Sequence, residues 1–368
     1  MTELQRPLLL EPLTRDPLVS VLVANFNYER YIALALESVL AQTYSNFEVI
    51  VCDDGSEDRS PQVISEFVRR DPRIKLFTQP NGGVASALNR AFEESSGEIV
   101  CLLDADDVFL PTKLLQVVSA FKPGRWGVVV HPLLVVDGDG REVQRKPAFS
   151  NFEEGWIGDR VAARGGRWSY MEASAVCLRR SVADLAFPIP EDSFRTWADA
   201  YLCVVGALLS PVGFVDEILA HYRIHGANVS GFDALDVDHG AKAMDGYRRL
   251  AGGAGDRLRQ LGALDVSLRP EDNLGYLESD LMLRLFRKNA ARGTTSKVYA
   301  RYARHVVKDP LYTRSRKVLS LFFFGTSMLL PRRLRPRWIT AGLTQSRSKE
   351  QIRKLLDSLR TMATRTAR

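Results

Sequence analysis

Three carboxylates crowd one short turn, Asp104, Asp106 and Asp107, directly after the apolar run Glu98-Ile-Val-Cys-Leu-Leu103 and before Pro111. Acidic side chains packed this closely repel one another, so the turn is costly unless a cation neutralises it. Hard oxygen ligands of this kind suit Mg²⁺ or Mn²⁺, which bind few protein carboxylates together with substrate phosphates. The same residues also suit a solvated acidic turn that caps a helix opening near Thr112.

Other polar residues follow apolar runs in the same way. Ala24-Asn-Phe26-Asn-Tyr28 ends the first run, and Phe26 could stack on a base or pack on the next helix. Asp53-Asp54-Gly-Ser ends the second. There Asp54 could accept a pyrimidine N3–H or simply close a capping turn. Gln79-Pro-Asn81-Gly-Gly83 ends the third, a flexible backbone before a helix N-terminus, where anions or a ribose edge are favoured.

These residues need a frame that brings run ends together. Val19–Ala24, Phe47–Cys52, 74–78 and Glu98–Leu103 read as buried strands. Between them, Glu29–Gln42 carries Ile32, Leu36, Val39 and Leu40 at helical spacing, Ser60-Pro61 marks a second helix start, and 84–94 reads as a third helix. Four strands alternating with helices predict a doubly wound α/β sheet, whose ligands bind beyond the carboxyl ends of its strands. Farther on the pattern predicts one strand over Gly127–Asp137, a hairpin turn at Asp137–Gly140, and a loop with a short helix over 146–168. Then come a strand over Tyr170–Leu178, a helix over Thr196–Leu209, and two short strands at Val212–Val215 and Ile218–Ile224. The chain then turns helical. Leu274, Leu277, Leu281 and Leu285 share one face, and Ala251–Gly255 reads as a loop between helices.

Composition sets the class. A chain of 368 residues, 45% hydrophobic, can bury one large or two ordinary cores. The four cysteines lie in apolar runs without metal-ligand spacing and read as reduced core residues of a cytoplasmic protein. No run is long enough to span a bilayer, and residues 1–17 read as a leader without signal-peptide character. The formal charge of +6 hides a division. Residues 301–368 hold 17 Lys and Arg against three acidic residues, and the remaining 300 hold 33 against 41. An acidic body argues against nucleic acid as partner. The basic tail, with its apolar run Val318–Leu330 flanked by arginines and Trp338, fits either an anionic membrane surface or a helix docked on the rest of the chain. The absence of a Gly-x-Gly-x-x-Gly turn after the first strand sets aside a dinucleotide-binding dehydrogenase.

Taken in order, Val19–Asn27, Leu36–Tyr44, Asp53-Asp-Gly-Ser56, Asn81-Gly-Gly83 and Leu103–Asp107 resemble the family 2 glycosyltransferases over residues 18–121, and more loosely to about residue 230. The resemblance implies a GT-A fold, with a mostly parallel sheet and helices on both faces, over 18–230, followed by a helical C-terminal region over 231–368. It implies inverting transfer of a sugar from a nucleotide donor, UDP- or dTDP-linked, to a hydroxyl of a cell-surface glycan or lipid-linked saccharide. Nucleotide-sugar contacts would come from Ala24, Phe26, Asp53, Asp54, Asn81, Gly83, Asp104, Ala105 and Arg223. Asp106, with Asp104 and His225, would hold Mn²⁺ or Mg²⁺. Asp199 would be the general base, with Glu191 and Asp192 as substitutes, although Ala198 stands where the family usually has Glu. As a purely structural residue, Asp199 would favour the helix N-terminus. The enzyme would work in the cytoplasm, at the inner membrane face if the tail binds lipid.

Two rival functions remain. Asp104-Ala-Asp106-Asp107-Val108 formally matches the nucleophile motif of haloacid-dehalogenase-type phosphohydrolases, but on the fourth strand rather than the first. Ala198 also leaves open a degenerate, non-catalytic domain that binds glycans or scaffolds an assembly.

Overall fold

The computed structural model describes residues 4–146, 152–170, 172–225, 237–263, 265–286 and 292–330. Its strands are β1 Val19–Asn25, β2 Phe47–Asp53, β3 Ile74–Thr78, β4 Ile99–Asp104, β5 Val108–Phe109, β6 Val128–Val130, β7 Leu133–Val136, β8 Glu142–Lys146, β9 Val176–Arg179, β10 Val212–Phe214 and β11 Ala220–Arg223. The helices of the same stretch are α1 Ile32–Leu40, α2 Ser60–Arg70, α3 Val84–Glu93, α4 Lys113–Phe121, α5 Gly158–Ala163, α6 Arg180–Ala186 and α7 Ala198–Leu209. After them come α8 Val237–Gln260, α9 Leu274–Phe286, α10 Arg292–Lys308 and α11 Arg314–Leu329.

The chain forms two compact units. The first contains residues 1–231 and 248–270, the second 232–247 and 271–368. The first is built on a seven-stranded sheet in the order β10-β6-β9-β4-β1-β2-β3. All its pairings are parallel except those of β9 with β4 and β6. Strand residues alternate between two apolar faces. Leu22, Ile50, Val100 and Leu102 point into one core with α3 and α7, while Val21, Val49, Val51 and Cys101 point into the other with α1, α2 and α4. Burial on both faces explains why the strands read as continuous apolar runs. The α1 residues Ile32, Leu36 and Val39 are fully buried, each contributing about 1.5–3 kcal/mol of transfer free energy. Residues 1–17 belong to this unit too. Leu4, Leu8 and Leu10 pack on the core, and Leu8 N–H donates to the Leu209 carbonyl at 2.8 Å.

Several sequence expectations change. The expected strand over 127–137 is two strands in different sheets, because Pro132 has no N–H for a ladder and the chain breaks at His131-Pro132. The first half, β6, joins the main sheet, and the second, β7, joins a smaller one in the order β5-β11-β7-β8. The expected strand over 170–178 begins with a 3₁₀ turn, Ala173–Ala175, before β9. Ala251–Gly255 is not a loop but the middle of α8. Leu250, Ala254 and Leu258 are buried, and a Cβ on Gly253 would stand 2.7 Å from the Phe194 ring, so small residues serve close packing there. Residues 248–270 thus share the first core rather than a separate C-terminal region.

In the second unit, α9 buries Leu274, Leu277, Leu281 and Leu285 against Tyr302 and Val306 of α10 and Phe324 of α11. No described helix is long and apolar enough to cross a membrane. Trp338 and the arginines at 332, 333, 335 and 337 lie outside the described residues.

Candidate active site

At the end of β2 the carboxylates are well supplied with donors. Asp53 Oδ1 accepts from Asn25 Nδ2 at 2.7 Å and Ser56 Oγ at 2.6 Å, and its Oδ2 from Ser56 N–H at 3.0 Å. Asp54 Oδ1 accepts from Gln79 Nε2 at 2.8 Å and Gly82 N–H at 2.9 Å, and its Oδ2 from Gly83 N–H at 2.7 Å. Asp54 therefore fastens the third strand's loop to the second strand's end. Gly55 and Gly83, with φ of 77° and 92°, occupy the left-handed region that this tight approach needs. Arg195 closes the loop from outside, Nη1 on the Gly82 carbonyl at 3.0 Å and Nη2 on Asn81 Oδ1 at 2.6 Å. Phe26, two residues after Ala24 of β1, is 41% exposed.

At the end of β4 the carboxylates are starved. Asp104, Asp106 and Asp107 bring ligand oxygens within 4.8 Å of one another. Burial pushes the carboxyls of Asp104 and Asp107 well above the usual range, and neighbouring carboxylates push in the same direction. Burial raises Asp106 too, partly offset by His225, whose Nε2 lies 2.9 Å from Asp106 Oδ2. Asp107 Oδ1 accepts Arg223 N–H at 2.8 Å, and a hydrogen bond from the Ser174 side chain also works against the effect of burial on this carboxyl. Tyr28 sits beside the cluster, its hydroxyl held protonated by burial and then by the charges of Asp106, Asp104 and Asp107.

The turn is positioned from two sides. On one, β11 pairs antiparallel with β5, so Ala220 meets Phe109 and the following residues run alongside the acidic turn. Arg223 donates from Nε to the Asp106 carbonyl at 2.8 Å and from Nη1 to the Asp137 carbonyl at 3.2 Å, and its guanidinium lies 5.2 Å from the Tyr31 ring centre. His225 stacks on the same ring at 4.7 Å. On the other side, Asp104 N–H donates to Ser174 Oγ at 3.0 Å, and the fully buried Lys113 donates to the Ser174 carbonyl at 2.5 Å while lying 3.4 Å from the Phe109 ring centre.

Asp199 enters in the first turn of α7, after Trp197 in the left-handed region at φ 69°. Burial raises its carboxyl to about 6, opposed by backbone N–H groups and assisted by the charge of Glu172. Its charge in turn bears on Asp104, as does that of Glu172. Five carboxylates thus influence one another around the end of β4.

This donor set fits a divalent cation. The oxygens are hard, they converge, and their mutual repulsion is only partly offset by His225, Ser174 and the Arg223 N–H. Two ligands at about 2.1 Å from one ion lie at most about 4.2 Å apart, so binding would draw the carboxylates slightly inward.

Among the sequence candidates, the structure brings together Asp104, Asp106, Asp107 and His225, with Asp199 in electrostatic reach, and separately Asp54, Asn81 and Gly83. Ala24 lies on β1 opposite Asp104 and Cys52, and Ala105 is buried in the core behind the acidic turn. Arg223 reaches the carbonyls of Asp106, Asp137 and Gly138 and so helps to hold the turn. Asp53 likewise holds its own loop. Glu191 and Asp192 are exposed on the turn before α7, Glu191 receiving Asn89 Nδ2 at 3.1 Å. Sequence reasoning missed Tyr28, Lys113, Glu172, Ser174 and Arg195. Only Lys113, a cation nine residues past Asp104, carried a readable signal.

Residues 20–184 match the profile described as Glycosyl transferase family 2. They form a family 2 glycosyltransferase domain. An uncharacterised glycosyltransferase of Nostoc sp. is 36% identical over 211 residues, 57% of this chain and 66% of that protein. A UDP-Glc:alpha-D-GlcNAc-diphosphoundecaprenol beta-1,3-glucosyltransferase of Escherichia coli is 41% identical over 105 residues, 28% of this chain and 41% of that one. The alignments therefore span under two thirds of either relative. The crystal structure of S. aureus TarS 1-349 shares the GT-A fold at 17% identity and a TM-score of 0.53, covering 88% of this chain and 91% of that one. The glycosyltransferase domain thus has its acidic cluster at the carboxyl end of β4, where a doubly wound sheet places its ligands.

Proposed function

We propose that this chain transfers a sugar from a nucleoside-diphosphate donor, with inversion, to a hydroxyl of a cell-surface glycan or lipid-linked saccharide. The observation that carries this is the set of buried carboxylates at the end of β4, three of them converging within 4.8 Å, inside a family 2 domain. The donor's base lies over Phe26 beside Asp54, whose oxygens keep spare lone pairs beyond the three bonds they accept. Asp104, Asp106 and Asp107, with His225, hold Mn²⁺ or Mg²⁺ against the diphosphate. The cation supplies charge neutralisation for the departing nucleoside diphosphate. Asp199, whose carboxyl lies near 6, takes the acceptor's proton as its oxygen attacks the anomeric carbon. No carboxylate needs to form a sugar ester in an inverting transfer. Tyr28, kept protonated, donates a hydrogen bond toward the developing charge.

A UDP-linked donor and a lipid-linked acceptor are supported by the E. coli relative, whose name specifies both for that protein. The phosphohydrolase alternative loses support because its motif belongs on a first strand, whereas Asp104 ends the fourth. The scaffold alternative rests on Ala198 alone, and Asp199 retains a carboxyl tuned for proton transfer.

The test is a panel of UDP-, dTDP- and GDP-sugars with Mn²⁺. Thermal unfolding is followed first, since a ligand bound only by the folded state raises its stability. Release of nucleoside diphosphate is measured next. Metal-dependent stabilisation by one nucleotide class, with release, is expected. No stabilisation and no release across the panel would overturn the assignment.

A further inference from the structure

Ten large apolar side chains are exposed among the described residues, and five of them fall between 307 and 329. On α11, Val318 is 67% exposed, Phe322 46% and Leu329 87%, at i, i+4 and i+11, which is one face of a helix. The opposite face buries Phe324 and Ser327. The apolar stripe is therefore not this unit's own core.

The charge around the stripe has one sign. Lys297, Arg304 and Lys308 on α10 and Arg314 and Arg316 on α11 are exposed. Between residues 292 and 330 the sole acidic residue is Asp309, which is buried and accepts Leu311 N–H at 2.7 Å. Lys317 Nζ reaches the Val307 carbonyl at 2.7 Å, tying the start of α11 to the end of α10 and joining the exposed Val307 to the same basic region.

We propose that the α10–α11 face docks on an anionic lipid bilayer, with Val318, Phe322 and Leu329 in the headgroup–acyl boundary and the basic side chains on lipid phosphates. An apolar stripe within a one-sign basic field needs a partner that is apolar inside and anionic at its surface. A second copy docked face to face would set basic side chains against basic side chains. Residues 331–368 carry 11 Lys and Arg against two acidic residues, so they too would bring like charge to this face. A nucleic acid would satisfy the cations and leave the stripe in water.

The experiment is co-sedimentation of the full chain with phosphatidylcholine vesicles, with and without phosphatidylglycerol, beside gel filtration and a single-stranded RNA retention assay. Binding to the anionic vesicles alone is expected, weakened by salt through screening. The Val318→Glu/Phe322→Glu/Leu329→Glu variant should lose at least about tenfold in partitioning. Neutralising Lys308 and Arg314 with Gln should cost about fivefold per charge. Donor binding in solution reports separately on the transferase site and should be unchanged. Equal sedimentation with neutral and anionic vesicles, or with neither, overturns the proposal. So does wild-type vesicle binding by the Glu variant, or a loss of self-association in that variant without any vesicle binding by the parent. RNA retention that depends on Lys308 and Arg314 but not on the stripe, without vesicle binding, also overturns it. Should the Glu variant misfold by circular dichroism, the Gln variant decides alone, and unchanged binding by it refutes the docking.

Discussion

The ends of β2 and β4 are neighbours separated only by β1, both finish in paired acidic residues, and they treat those residues in opposite ways. Asp53 and Asp54 accept six hydrogen bonds between them, two from Ser56 in their own loop and four from Asn25 and the loop after β3. Asp104, Asp106 and Asp107 face one another, and their repulsion is only partly offset by neighbouring donors. The first pair is architecture. The second group has the donor set of a cation site. The sequence pattern, a strand followed by aspartates, is the same in both, so burial and donor supply decide the role.

The sharpest break between the two ends is predicted for Asp106→Ala. It should abolish transfer and remove Mn²⁺-dependent binding of the donor nucleotide, measured calorimetrically, while leaving the fold intact. Unchanged affinity in the presence of Mn²⁺ would remove Asp106 from the metal site. Next in size is Asp199→Asn. Donor binding should persist while turnover falls roughly 10²–10⁴-fold, the usual range for a lost general base. In the parent enzyme turnover should climb with pH through about 6 and level off, because Asp199 must be ionised to accept a proton. The variant should lack that limb, and near-normal turnover would move the role elsewhere. The sign for stability is opposite. A carboxyl raised from its usual 3.8 to about 6 favours the fold while protonated, so its contribution is full below 3.8 and gone once the pH passes about 6.

A smaller, more diagnostic contrast concerns stability. Asp54→Ala strands the Gln79 amide and the N–H groups of Gly82 and Gly83, and should cost about 1–3 kcal/mol. Asp107→Asn keeps an acceptor for Arg223 N–H and removes one repelling charge, so the metal-free protein should melt higher by roughly 2–4 °C per kcal/mol gained. If both variants lose stability in metal-free buffer, the distinction between well-supplied and starved carboxylates fails. The smallest effect is expected for the exposed Arg195→Ala. Loosening the Asn81–Gly83 loop should raise the donor KM several-fold, with kcat kept, and a fall in kcat alone would place Arg195 at the chemistry instead.

The sheet was legible where local pattern and final environment agree. The apolar runs at 19–24 and 47–52 are buried on both faces, and the helix from Ile32 shows its spacing directly. The break at His131-Pro132 was hidden because Val128–Val130 and Leu133–Val136 read as one apolar run, and only pairing with different partners separates them. Ala251–Gly255 misled because flexibility and close packing ask for the same small residues. In the site, the aspartates announced themselves by type and crowding. Arg195 and Glu172 did not, because their roles come from the approach of segments over 90 residues apart and from the 3₁₀ turn before β9. Arg223 was read as a diphosphate contact, and its side chain also reaches the carbonyls of Asp106 and Asp137, which leave no trace in a sequence.

The antiparallel strand β9 carries a consequence for synthesis of the chain. Strands β1 to β4 are complete by Asp104, and β1 to β3 pair only within this group. The short β6, made next, has partners only in β9 and β10, which leave the ribosome 46 residues or more later. The nascent chain therefore first holds an apolar half-sheet whose β4 edge awaits a partner, and β9 closes that edge. Ser174 arrives just before it, Asp199 and His225 after it. The acidic cluster, whose charges repel one another, in this way gains these neighbours only after the strand that carries it is made.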